Sequence, residues 1–457
     1  MAKQSITNKS KTQKLSSPSK SYWWLFYVLF SLPFIHSFVN KDNTPNLTGI
    51  VISNKKPELN KENWFSGYYQ KQMDDYNNDH WAWKEFLVRW NNQFYYALFN
   101  EIRVNGFVVV KDNYVISKSY ILSAYGDDFI GEEKIKEKCR KAKVVQDSLK
   151  KRGIDLVFLL IPGKGRFCEE KIPEKYKHPI KNTNYDVYLK YIKEYGINYL
   201  DLQAWFLNTL KQKEKQHLLF AKFAHHWTNY AECLAVDTIV KYLEKLRNKP
   251  FPHIVWDNVE ISDTPRSRDA DILKSMNLAI NPPFNEKYSY PDYGFEVDSS
   301  LQKQKVLVIG DSYWYGPVYM GVQRYLFGDA QFWYYYNKVV PSPKQGEKVE
   351  VWQLDLKESI ESNDVILLAY SDGNLPTFGN SFIEEAYLLY TNPSEFNRYW
   401  QNKQQIQYFA RQVRETPEYL KKATLFSEEN KISLDSAILY FSHQLKSNSQ
   451  FVQELSF

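Results

Sequence analysis

The chain has 457 residues, 43% of them hydrophobic and 25% charged, enough for a large globular domain with additions. Its net charge of +6 gathers at one end: residues 1–20 hold Lys3, Lys9, Lys11, Lys14 and Lys20 and no acid, and without these five the 59 basic residues fall to 54 against 53 acidic ones. A nearly neutral body argues against a nucleic-acid partner, and three scattered cysteines (Cys139, Cys168, Cys233) argue against a disulfide framework or a zinc site.

Tyr22 to Val39 contains no Asp, Glu, Lys or Arg. An uncharged run of this length reaches across a hydrocarbon core of ~30 Å. Trp23 and Trp24 mark its entry side, and the lysines before it place the N-terminus in the cytoplasm by the positive-inside tendency. His36-Ser37-Phe38 is a poor cleavage site, so a retained anchor is expected rather than a removed signal peptide. The expected organisation is a cytoplasmic basic tail over 1–20, a transmembrane anchor over 21–39 and a polar linker over 40–62. An extracytoplasmic domain over 63–378 and a helical C-terminal extension over 379–457 follow.

Within the body, two β-branched runs flank Lys111-Asp112-Asn113 and predict a hairpin. Glu132 to Arg152 predicts an amphipathic helix closed by Gly153. The continuous apolar run that starts at Ile154 predicts a strand buried on both faces. A helix around 185–195 ends at Gly196, and a short strand follows near Asn198. Asn229 to Arg247 predicts a helix capped by Asn229, with Glu232 in reciprocal position. The next 55 or so residues, rich in Pro and Asp, read as loop. Strands are then expected at Lys305–Ile309, Ala330–Asn337 and Asn363–Asp372. Helices alternating with buried strands predict a three-layer α/β fold with a parallel sheet, whose ligands sit at the carboxyl ends of the strands. Aromatics make up 17% of the chain, which suits either core packing or a ring-lined sugar surface.

Gly310-Asp311-Ser312 stands at such a carboxyl end. A serine nucleophile needs a tight turn off the sheet, and glycine lets backbone approach a developing oxyanion; the bland alternative is a serine that caps the next helix. His225-His226-Trp227-Thr228 lies just before the helix at Asn229. A helix N-terminus disfavours imidazolium, and a neutral ring can take a proton from serine. No further ligand at metal spacing accompanies the two histidines.

These segments together resemble the SGNH-hydrolase-like family of the alginate O-acetyltransferases AlgJ and AlgX and the related DHHW proteins. Ala224 to Thr228 is similar to that family's DHHWT with its first residue changed, and Leu156 to Lys164 to its strand ending in Pro-x-Lys. The hairpin at Lys111-Asp112 and, more weakly, Asp79 to Lys84 resemble other family segments. The resemblance spans about Asn63 to Asn374. It implies Ser312 as nucleophile, His226 as base and Asp311, after Gly310, as support of the turn; Asn337, which ends the aromatic run from Ala330, is a candidate oxyanion donor by its position. The resemblance implies a membrane-anchored O-acetyltransferase or esterase in the periplasm, with a polysaccharide substrate, a membrane-bound O-acyltransferase as acyl donor and no cofactor or metal. The family's orienting acid, however, falls on Ala224, and Ala369 occupies a strand end that often carries an acid. Either another carboxylate or a carbonyl holds His226, or the chain is a glycan-binding or scaffolding pseudoenzyme.

Overall fold

The computed structural model describes residues 22–28, 31–32, 46–49, 54–80, 83–296 and 303–454. It divides into two units, Met1–Arg103 with Leu273–Pro282 and Val104–Ile272 with Pro283–Phe457. In the first, the helices α1 (Tyr68–His80) and α2 (Lys84–Phe99) carry the chain. Asn92 of α2 is buried and donates to the carbonyls of Met276 and Asn277. Residues 22–28 and 31–32 are helical; the rest of the expected anchor lies outside the described residues, as do 81–82 of the weakest family segment. Among the described residues no helix is long and apolar enough to cross a membrane.

The second unit is built on a six-stranded sheet in the order β4-β3-β10-β7-β8-β9. Its strands are β3 (Asp155–Ile161), β4 (Tyr199–Asp201), β7 (Val306–Gly310), β8 (Phe332–Tyr334), β9 (Lys338–Val340) and β10 (Val365–Ser371). All pairs are parallel except β8–β9, so the sheet is mixed, not parallel as expected. A parallel neighbour needs a crossover, whereas only three residues separate β8 from β9, and a connection that short permits only an antiparallel return.

The central strands are buried along their whole length, and period-two alternation splits their side chains between two cores. Val157, Leu159, Val308 and Leu367 face one core, together with α5 (Asn229–Arg247). Leu156, Phe158, Ile309 and Leu368 face the other, together with α3 (Glu132–Lys150) and α4 (Asn184–Tyr195). The result is a three-layer α/β fold. The C-terminal region is helical, as expected, from Phe382 to Glu454. Phe382, Phe396 and Trp400 belong to the second core of the sheet, while Ala410, Val413, Ala423 and Ile438 form a small core of their own.

Two local expectations change. Thr228, not Asn229, caps α5: its hydroxyl accepts from the Ala231 N–H, and Glu232 turns inward instead of closing a capping box. The stretch read as loop after α5 is an antiparallel ribbon, β5 (His253–Ser262) with β6 (Tyr288–Glu296), enclosing the short helix α6 (Asp271–Met276). Pro291 sits inside β6, and a register shift interrupts β5 between Trp256 and Val259, so alternation is too broken to read as strands. The predicted hairpin is present as β1 (Phe107–Val109) and β2 (Val115–Ser117), with Asp112 and Asn113 at positive φ.

Candidate active site

Strand β7 ends at Gly310, where it runs beside Ala369 of β10. A Cβ on Gly310 would collide with the Ala369 carbonyl, so the turn requires glycine. Ala369 is itself buried in the core between these strands, so its small size is a packing requirement of the turn. Asp311 is fully buried. One carboxylate oxygen accepts from the Tyr313 N–H at 3.0 Å; the other accepts from the Ser371 N–H, the Ser371 hydroxyl and Asn374 Nδ2 at 2.7, 2.6 and 2.9 Å. It ties the turn to the end of β10, the supporting part expected of it. Ser312 follows as the first residue of a short 3-10 turn and is only part-buried.

The histidine comes from the segment ahead of α5. The Ser312 hydroxyl donates to His226 Nε2 at 2.9 Å, across 86 residues of sequence. On the other side of the ring, His226 Nδ1 donates to Asp271 Oδ2 at 2.9 Å. Asp271 opens α6 and also accepts from the His225 N–H at 2.9 Å. The orienting acid missing at position 224 is therefore supplied from within the β5–β6 ribbon, 45 residues after His226. Burial pulls His226 below its ordinary pKa against the opposing Asp271 hydrogen bond, so the ring is neutral near pH 7. Burial pushes Asp271 up, but its bonds to His226 and the His225 N–H outweigh this and hold the carboxyl below its usual range.

Ala224 is buried against Ala221, Tyr288 and Tyr290, and its carbonyl accepts from Lys164 Nζ at 2.7 Å. Lys164 is the lysine of the Pro-x-Lys segment and is 1% exposed. Its ammonium also donates to the carbonyls of Val115, Ala221 and Lys222. Burial draws its pKa down to about 8. One buried cation thus pins the histidine segment to the β1–β2 hairpin. The Tyr313 ring meets His226 edge-on at 4.9 Å, and its hydroxyl donates to the His225 carbonyl. His225 stacks on Tyr120 at 5.1 Å, and burial holds its pKa down at about 3.

Asn337 is exposed, and its backbone is taken up by Tyr334 and Val351; among the described residues no contact joins it to Ser312. The phenol of Tyr335, two residues earlier, lies beside Ser312 and Asn374. Tyr335 and Tyr336 both have positive φ in the turn between β8 and β9, a conformation costly for bulky residues and found where a site demands it. Asp271, Tyr335 and Asn374 were not read from the sequence as site residues.

Residues 125–315 match the family model described as ALGX, the SGNH hydrolase-like domain of acetyltransferase AlgX. The resemblance drawn from the motifs is thereby shown over these residues, as a likeness to an SGNH hydrolase-like domain. Among solved structures, the chain is similar to the O-acetyltransferase domain of Pseudomonas putida AlgJ, with 16% identity over 62% of this chain and 98% of that one at a TM-score of 0.42. It is similar to Pseudomonas aeruginosa AlgX, with 14% identity over 63% of this chain and 67% of that one at a TM-score of 0.39. It is also similar to a DHHW family protein from Eubacterium siraeum, with 11% identity over 62% of this chain and 96% of that one at a TM-score of 0.38. No curated protein matches the sequence.

Proposed function

We propose that this chain is an SGNH-type O-acyltransferase that carries an acyl group, acetyl, on Ser312 and passes it to a polysaccharide hydroxyl or to water. The observation that carries the reading is His226 bridging Ser312 and Asp271 with a 2.9 Å hydrogen bond on each side. In the first half-reaction His226 Nε2 takes the Ser312 proton as Oγ attacks the acyl carbonyl. The imidazolium, stabilised by Asp271, then returns that proton to the leaving group. In the second half-reaction a sugar hydroxyl attacks the acyl-serine, gives its proton to His226 and leaves as the ester, and Ser312 regains its proton. The positive N–H groups of the turn and the Tyr335 phenol are the groups available to the tetrahedral oxyanion.

The alternative, a glycan-binding or scaffolding pseudoenzyme, rests on Ala224; Asp271 at His226 Nδ1 supports the enzyme reading over it. The extracytoplasmic location and the anchor over 21–39 belong to this proposal and rest on the lysine cluster and the uncharged run, and the membrane-bound acyl donor rests on the family resemblance alone. The test is labelling by a sulfonyl fluoride together with hydrolysis of 4-nitrophenyl acetate. Both should occur in the full-length protein and vanish in Ser312→Ala. An intact protein that shows neither would refute the catalytic reading.

A further inference from the structure

A cavity of about 370 Å³ opens against the catalytic turns. The residue after His226, Trp227, lines it, and so does Gly316, four residues after Ser312. A Cβ on Gly316 would fall on the carboxylate of Glu232 and the guanidinium of Arg268, so the turn that bears the nucleophile is shaped to admit that pair. Arg268 Nη1 donates to Glu232 Oε1 at 3.1 Å, and Nη2 reaches the Ser312 carbonyl at 3.4 Å. The cavity therefore touches the nucleophile's own backbone through one side chain.

Its polar groups are unusual in what they leave open. Arg268 is occupied by buried Glu232, and Arg266 by Glu260, which it grips through both terminal nitrogens. Neither guanidinium is left without a carboxylate. Asp269, by contrast, is 2% exposed; its Oδ1 accepts from the Asn229 N–H at 3.3 Å, while its Oδ2, with the Tyr290 phenol beside the carboxyl, completes no well-formed hydrogen bond among the described residues. A buried oxygen of this kind costs stability unless a ligand completes it. Burial pushes its carboxyl up to about 7, so near neutrality it can accept from a hydroxyl or donate to one. The same cavity is lined by Tyr319, an aromatic side chain left 74% exposed on the short helix after Ser312. Its ring stacks on Tyr315 at 5.9 Å, and the residue also lines a second recess of about 390 Å³.

An exposed ring and a buried oxygen without a hydrogen-bond partner, lining one cavity, suit a pyranose, which offers an apolar C–H face and hydroxyls at its rim. The charge balance decides which kind. A uronate would bring a carboxylate to a cavity whose two arginines are already paired and whose free group is an acid. We propose that this cavity is the acceptor subsite and that it takes a neutral hexopyranosyl unit of a polysaccharide, with Tyr319 under the ring and Asp269 on a hydroxyl. The inference rests on the acyl-transfer reading of the neighbouring triad, which it deepens.

The experiment uses the full-length protein on an array of neutral hexosan oligosaccharides (glucans, mannans and galactans) with oligomannuronates and oligogalacturonates beside them. Neutral oligosaccharides should bind, and uronates should bind at least 10-fold more weakly. Tyr319→Ala should weaken the neutral ligand at least 10-fold and Tyr319→Phe, which keeps the face, should restore it; the exposed position keeps either variant folded. Asp269→Asn, isosteric but unable to take a proton, should also weaken it and flatten the dependence of binding on pH around 7. Absence of neutral binders, equal or tighter uronate binding, or binding indifferent to Tyr319→Ala would each overturn the assignment. Ser312→Ala should bind as the parent does. If oligosaccharides bind while Ser312-dependent hydrolysis of 4-nitrophenyl acetate is absent, the subsite stands and the acyl-transfer reading falls.

Discussion

Ser312 leaves a strand bonded on both sides, β10 on one flank and β8 on the other, and its turn is locked by a carboxylate that accepts four hydrogen bonds. The His226–Asp271 arm is put together differently. His226 sits in a short segment before α5, stapled by Lys164, and Asp271 arrives from a ribbon inserted between α5 and β7. The nucleophile arm is written into the sheet, and the base arm is assembled from insertions. What the base needs from its acid is one oxygen at Nδ1, and chain position does not enter that requirement. A carboxylate from outside the histidine segment can therefore meet that requirement, whereas Ser312 depends on the strand end that aims it.

This contrast is tested hardest by removing one member from each arm. Ser312→Ala should reduce ester hydrolysis by ~10⁴ or more, with no fallback. Asp271→Asn should cost ~10⁴ in turnover, because the amide no longer holds the ring in the productive tautomer. Purified variants assayed on 4-nitrophenyl acetate decide it; an Asp271→Asn enzyme within about 10-fold of the parent would mean that the acid arm does not serve the reaction. Restoring the family's acid at its usual place sharpens the point. Ala224 faces Ala221, Tyr288 and Tyr290. Ala224→Asp should therefore give no gain in rate and should lower stability by ~1–3 kcal/mol as a carboxyl enters an apolar contact. Placed on top of Asp271→Asn, it should recover less than a tenth of the lost activity.

The same contrast explains what the sequence made legible. Val306 to Ser312 announces itself, since an unbroken apolar run followed by Gly-Asp-Ser is both the local signal and the local structure. His226 is legible because the helix beside it starts within three residues. Asp271 carries no such mark. It lies in Asp-Ala-Asp-Ile-Leu-Lys, one acid among several in a stretch whose strands are obscured by Pro291 and a register shift. Position 224 suggested an acid acting along the chain from i to i+2, but the acid acts through space. Tyr335 was equally hidden: a tyrosine at positive φ in the three-residue turn between β8 and β9 contradicts the local preference for Gly or Asn, and its phenol lies beside Ser312 and Asn374. Asn337 was the polar residue in view, yet it points to solvent.

Lys164 offers a test of the base arm alone, at the level of stability. Its ammonium serves four carbonyls, three of them in the histidine segment. Lys164→Met keeps the stem but strands those oxygens, and should cost ~3 kcal/mol or more, read as a fall in the urea midpoint. Hydrogen exchange should rise around 221–228 before it rises around 306–312. Equal loosening of both segments would show that the two arms are not held independently.

The smallest expected effect is a displacement of the acid limb of the pH profile. Catalysis needs neutral His226, so kcat/KM falls as the ring gains a proton. Burial lowers the pKa of the ring from its usual 6.5, and the hydrogen bond to Asp271 acts in the opposite direction without cancelling it. The acid limb of the parent should therefore lie below pH 6.5. Asp271→Asn removes the strongest of the groups that favour the charged ring, leaving the weaker field of Asp311, the opposing charge of Arg268 and the burial in place. Its limb should lie at still lower pH, even as its plateau drops. Ionised Asp271 is not limiting in this range, because its own pKa is held below that of a free carboxyl. A parent limb above pH 6.5 would mean that the carboxylate and not burial governs the ring, and a limb that moves upward in Asp271→Asn would mean that Asp271 does not favour the charged ring at all. In the first case the two arms would be coupled more tightly than their separate origins in the chain imply.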